Sequence, residues 1–202
     1  MNFNEQKFRL RVHFTKKGRL AFLSHLELTS ALERAVRRAK LPFAVSNGFS
    51  PHMKLSFGSA LPVGVGSTCE IFDITLTTYV NPEKVLESLQ SKTVADLNFF
   101  DAKYVDNKAP AASIAYEHST YVAVFDNDLP DFDVPEAIEV IKKKKTKVLN
   151  VDDYLEQMPI IDKNELEFTL RSSQSGSLRA DVFVKSLNLE QRCLSITRIC
   201  QK

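Results

Sequence analysis

An α+β fold built as two consecutive units is predicted by three observations in the 202-residue sequence. Apolar residues alternate at period two in several short stretches and recur at helical spacing in a few others. Glycine and proline gather between these stretches rather than inside them. The order strand, helix, strand, strand, helix, strand is read twice, on either side of the small-residue connector Lys108–Ser113.

Lys7 to Phe14 opens the first half: Phe8, Leu10, Val12 and Phe14 share one face and Lys7, Arg9, Arg11 and His13 the other, the pattern of a half-exposed strand. Lys16-Lys17-Gly18-Arg19 makes a basic turn. Ser24-His25-Leu26-Glu27 then carries the signature of a capping box, in which a serine hydroxyl and a glutamate three residues on exchange hydrogen bonds with each other's backbone amides. Leu28, Ala31, Leu32, Ala35 and Ala39 give the following helix an apolar stripe, and Arg34, Arg37 and Arg38 fall on its outer face. Short extended pieces are expected at Phe43–Ser46 and Lys54–Phe57, and a strand from Thr68 or Cys69 to Thr77. Asn81-Pro82-Glu83 starts a second helix running to about Ser91, with asparagine as cap and proline in the first turn. Leu97–Val105 closes the half as a strand.

Beyond the connector, Tyr116–Phe125 is expected as a strand, Val134–Lys142 as a short helix, and Thr146–Val151 and Glu165–Arg171 as strands. A helix over Arg179–Leu187 and a strand over Arg192–Ile199 follow the polar turn Ser172–Ser177. The repeated order predicts tandem ferredoxin-like βαββαβ units with antiparallel sheets, spanning residues 1–107 and 108–202, although no residue repeat accompanies it.

Composition narrows the function classes. The chain is 44% hydrophobic with fourteen phenylalanines, enough for a sizeable core, and any aromatic platform must do without tryptophan. No apolar run reaches the roughly 18–20 residues needed to cross a bilayer, and the start MNFNEQKFRL lacks the apolar stretch of a secretory signal, so a cytoplasmic protein with no membrane partner is expected. Cys69, Cys193 and Cys200 are too far apart for a disulfide framework or a self-contained iron–sulfur motif and read as reduced thiols on strands. Formal charge is only +2, but residues 1–60 hold eleven lysines and arginines against three acids, a net of +8. That local field suits RNA, DNA phosphates or an acidic protein surface, or else an acidic part of the same molecule.

The candidate site lies in this basic stretch. His25 sits in a helix's first turn, where unpaired amides favour anions and a neutral imidazole. It reads either as a donor to phosphate and general base, or as a packed helix-start histidine. Ser24 and Glu27 are explained by capping, and the helix terminus with Lys16, Lys17 and Arg19 forms an anion-binding surface. In the loop Asn47–Lys54, Gly48 permits a tight turn and Pro51 stiffens the presentation of His52 and Lys54, while Phe49 offers a stacking face. His25 and His52 together would make a two-histidine acid–base pair of the kind used in metal-independent RNA cleavage. No metal site is expected, because two histidines lack a convincing third ligand, and no cofactor is expected, because neither a dinucleotide fingerprint nor a P-loop is present. The run Lys142–Lys145 with Lys147 reads as solvated charge at a helix end, with nucleic-acid contact as its alternative.

The segment Arg9–Glu27, followed by Gly48-Phe49-Ser50-Pro51-His52-Met53-Lys54-Leu55-Ser56-Phe57 and Leu61-Pro62-Val63-Gly64, resembles the radical-SAM-linked protein family. Members of that family occur as separate small proteins or fused behind a radical-SAM domain. The resemblance covers roughly residues 7–105; its common form has aspartate where this chain has Glu27, a change that keeps the cap. It implies partnership with a radical-SAM protein in RNA- or ribosome-related modification. The partner's cysteine cluster is missing here, so the chain is not expected to cleave S-adenosylmethionine itself. The expected function is an accessory protein that binds RNA or presents a substrate. A histidine-pair ribonuclease and a protein-interaction module are the alternatives.

Overall fold

The alternation at the start of the chain folds as strand β1, Phe8–Lys16, with Leu10, Val12 and Phe14 wholly buried. The computed structural model describes residues 7–94, 96–142, 145–173 and 176–202, which divide into two compact units. The first comprises residues 1–61 and 68–115, the second residues 62–67 and 116–202.

In the first unit a 3-10 turn over Gly18–Phe22 leads from β1 to helix α1, His25–Arg38. Both arms of the predicted capping box form: Ser24 Oγ accepts from the Glu27 amide, and Glu27 Oε2 accepts from the Ser24 amide at 2.9 Å. Leu28, Leu32, Ala35 and Val36 are buried along the helix, and Arg34, Arg37 and Arg38 are exposed. Strand β2, Leu55–Phe57, pairs antiparallel with strand β3, Val65–Leu76. Helix α2, Pro82–Gln90, starts on Asn81, whose side chain accepts from the Glu83 amide at 2.8 Å. Strand β4, Phe99–Val105, runs antiparallel to β1, so the strands lie in the order β2, β3, β1, β4. The core forms where Leu10, Val12 and Phe14 of β1 and Phe72, Ile74 and Leu76 of β3 meet Leu32, Val36, Val85 and Leu89 of the helices. Each such fully buried side chain contributes about 1.5–3 kcal/mol of transfer free energy.

The opposite face of β1 departs from expectation. Arg9 and Arg11 were expected to face solvent, yet Arg11 is 8% exposed and both guanidinium groups converge on the buried carboxylate of Asp73. Arg9 Nε and Nη2 donate to Asp73 Oδ2 at 2.8 and 2.6 Å, and Arg11 Nε donates to Oδ1 at 2.7 Å. Further donors reach the stretch read as a connector: Arg9 Nη1 donates to the Ala109 carbonyl at 2.7 Å, and Arg9 and Arg11 both donate to the Pro110 carbonyl. A 3-10 turn over Ala112–Ile114 follows, with Ala112 buried.

The second unit contains strand β5, His118–Phe125, between β9, Glu165–Ser173, and β11, Cys193–Gln201, antiparallel to both. Two short strands, β8 (Ile160–Asp162) and β10 (Gly176–Ser177), pair with β9, and Val65–Ser67 pairs in parallel with β11. Helix α3, Ala180–Ser186, sets Phe183 against Phe168, with ring centroids 4.8 Å apart.

The helix expected over Val134–Lys142 is a strand. Residues Ala137–Lys142 form β6, paired antiparallel with β7, Lys145–Asn150, as a separate hairpin. Lys142 and Lys145 are therefore cross-strand partners and do not end a helix; Lys143 and Lys144 lie outside the described residues. The molecule is mixed α+β, mostly sheet, with one helix in its second unit among the described residues. The three cysteines lie on β3 and β11 and carry no disulfide.

Candidate functional site

Lys16 continues the inward alternation of Leu10, Val12 and Phe14, which carries its side chain to 2% exposure at the end of β1. It lines a small cavity with His25 from the first turn of α1, Phe57 from β2, Ser59 and the buried Glu70 of β3. His25 stands edge-on to the Phe57 ring, with centroids 5.3 Å apart and an interplanar angle of 86°. The cavity has room for about 10 Å³, at the limit for one water. Lys16 is thus a buried residue of this cavity, whereas Lys17 and Arg19 are exposed on the turn before α1.

Two exposed apolar side chains flank this helix start: Phe22 is 69% and Leu26 77% exposed. Neither was singled out in the sequence, although Leu26 lies off the stripe of Leu28, Leu32 and Ala35 and so faces away from the core. The capping box holds the Glu27 carboxyl below the usual carboxylate range, first through the Ser24 hydroxyl and then through the Ser24 amide.

The loop of residues 47–54 is tied at its base. The Ser46 amide donates to the His52 carbonyl at 2.7 Å, the His52 amide donates to Ser46 Oγ at 3.0 Å, and Val45 bridges Met53, which is buried. Gly48 takes φ +138, a conformation that favours glycine, and Phe49 at the tip is fully exposed. His52 is exposed, its Nε2 lying 3.5 Å from Ser50 Oγ.

Lys54 lines a second cavity of about 340 Å³, together with Arg9, Ser46, Ser56, Asp73 and Thr75. These residues meet through strand pairing: Ser56 is opposite Asp73, and the Thr75 amide donates to the Lys54 carbonyl at 3.1 Å. Sequence reasoning passed over Ser46, Ser56, Asp73 and Thr75, because only the Val45–Met53 bridge and the pairing of β2 with β3 place them beside Lys54. His25 lines the small cavity, Lys54 the larger one, and neither is lined by both histidines. Among the described residues no group of three or more histidine, cysteine or acidic side chains is placed to hold a metal ion.

Fold and sites together define a mixed α+β protein whose first unit carries a basic, partly apolar helix start and a cation-lined cavity. No helix among the described residues is long and apolar enough to cross a membrane. Residues 9–180 match the model of the family described as "Uncharacterized protein conserved in bacteria (DUF2344)", and the chain belongs to that family. No curated protein matches the chain.

Proposed function

We propose that this protein is an RNA-binding accessory protein of the cytoplasm whose first unit, read as ferredoxin-like from its βαββαβ order, presents the RNA-facing surface. The observation that carries the reading is the exposure of Lys17, Arg19 and Phe22 on one short turn, with Phe49 fully exposed on a loop tied at its base. Exposed cations supply a salt-dependent attraction to phosphates, and exposed rings supply stacking faces for unpaired bases. The inner strands of the sheet offer no such platform: β1 presents Arg9 and Arg11 to Asp73 on the face away from the core, unlike sheets whose central aromatics stack bases. Three cysteines without a disulfide fit a reducing compartment.

Fluorescence anisotropy with a labelled structured RNA tests this. Affinity is expected to fall steeply between about 50 and 200 mM salt, and Lys17→Ala with Arg19→Ala to reduce the salt slope by about one per residue. Phe49→Ala is expected to weaken binding about 5- to 100-fold with the slope unchanged. Binding indifferent to salt and to all three substitutions would remove the surface from consideration.

A second reading, a docking module for a radical-SAM protein, is favoured by the exposure of Phe22 and Leu26 beside the α1 start. A partner retained from native cells after nuclease treatment and released by Leu26→Asp would support it. The histidine-pair ribonuclease has less support, since the cavity at His25 has too little room for a nucleotide.

A further inference from the structure

We infer that the groove between the β6–β7 hairpin and α3 is a binding site for a long-chain aliphatic carboxylate, a function of the second unit separate from the RNA-facing surface of the first. Shape and lining come first. The groove holds about 910 Å³, within the range of ligand sites, and its apolar wall is built by Ile138, Val140 and Leu149 of the hairpin with Leu178 and Val182 at α3. Ile138, Leu149 and Leu178 are buried, whereas Val140 and Val182 keep part of their aliphatic surface open. No aromatic side chain lines the groove among the described residues, so a flat heterocycle has no ring to stack on and a flexible hydrocarbon is the better match.

Charge selects the head group. Lys185 lines the groove from an exposed position on α3 and forms no ion pair or side-chain hydrogen bond among the described residues. The acid one turn before it, Asp181, is occupied by Arg179, whose Nε and Nη2 donate to its two oxygens at 3.0 and 2.6 Å. The closed end of the hairpin adds Lys142 and Lys145 as a cross-strand pair, and Lys147 is the partner of Val140. The groove's own acid is Glu139, an exposed residue paired with Val148 on the hairpin face opposite to Val140. By formal charge, one carboxylate stands against these lysines, so a hydrocarbon with a negative head is favoured over one with a neutral or positive head. Binding is also linked to the order of the hairpin. A two-stranded hairpin is marginally stable alone, and β6 and β7 pair with each other and with no other described strand. A hydrocarbon filling the groove covers the open faces of Val140 and Val182 together and ties the hairpin to α3.

Isothermal titration of the full chain with dodecanoate below its micelle threshold, and amide hydrogen exchange with and without it, test the site. Saturable binding is expected, with slowed exchange at residues 137–141 and 146–150 of the hairpin. Lys185→Gln, at an exposed position, is expected to weaken binding about 3- to 10-fold, and Val182→Asn about tenfold. Circular dichroism melting of both variants establishes that they fold. Decanoate, with two fewer methylenes to bury, should bind about tenfold more weakly than dodecanoate, and dodecyltrimethylammonium should not compete. Absence of saturable binding, competition by the cationic hydrocarbon as strong as that by dodecanoate, or unchanged affinity in folded Lys185→Gln overturns the inference. Binding to phosphatidylglycerol vesicles without binding of monomeric dodecanoate assigns this face to a membrane surface and also overturns it. Dodecanoate affinity is expected to be the same when Lys17→Ala and Arg19→Ala are introduced together; a loss there would place the anion site at the turn before α1 and reject the groove.

Discussion

Asp73 holds two arginines and, through them, a distant stretch of chain. Its carboxylate is 3% exposed and accepts from Arg9 and Arg11, which also donate to the Ala109 and Pro110 carbonyls. Asp73→Ala removes the shared carboxylate from one buried and one half-buried guanidinium group, with an expected loss of about 3–5 kcal/mol in urea denaturation; a loss below about 1 kcal/mol would mean that the other contacts of the two arginines satisfy them. Beside them, His13 has no hydrogen-bond partner at Nε2 among the described residues, and the Asp101 carboxylate stands 3.8 Å away. Burial lowers its pKa from the ordinary 6.5, and Asp101 only partly restores it. The unfolded chain therefore binds the proton more readily than the folded one, and stability falls as pH drops below about 6.5. Urea midpoints at about pH 7.5 and pH 5 should differ less in His13→Gln than in the parent chain. The alternation placed Arg9, Arg11 and His13 on one face correctly. What it missed was their covering, since Ala109 lies a hundred positions from Arg9 in sequence.

Elements whose ends are written in neighbouring residues were legible. Ser24 with Glu27, and Asn81 with Pro82, define the starts of α1 and α2 through contacts within three positions. The helix expected over Val134–Lys142 has no such local start and is a strand over Ala137–Lys142. There the β-branched Ile138, Val140 and Ile141 favour extended backbone, and the pairing of Ile138 with Leu149 buries both. β8 and β10 have only three and two residues, too few for any periodicity to register. The end of α1 carries a prediction of its own. Lys40 takes φ +53, its amide donates to the Arg37 carbonyl, and the Leu41 amide donates to the Val36 carbonyl, a left-handed helix stop. Lys40→Gly removes the cost of that conformation and should stabilise the protein by about 0.5–1 kcal/mol, read as a shift in urea midpoint with unchanged slope.

At the scale of the whole chain, the division into units does not follow sequence order. Pro62–Ser67 belongs to the second unit, although residues before and after it build the first. Ile196, Thr197 and Arg198 of β11 pair in parallel with Val65, Gly66 and Ser67, a pairing that no local pattern announces. A fragment ending at Ala115 retains every strand and helix of the first unit but leaves Val65–Ser67 without β11. An unpaired strand edge invites pairing with another copy, so this fragment should self-associate more than the full chain at equal concentration in analytical ultracentrifugation. Equal sedimentation behaviour would show that those backbone groups are satisfied without β11.

The placement of Pro62–Ser67 also bears on how such a chain can change over generations. Six residues of one unit are encoded inside the other, so no single recombination breakpoint exchanges either unit whole. A crossover between them brings a foreign Val65–Ser67 to a resident β11, or the reverse. The two units are bound to descend together, and substitutions at Val65 and Ile196, which face each other in that pairing, are expected to be accepted as a pair.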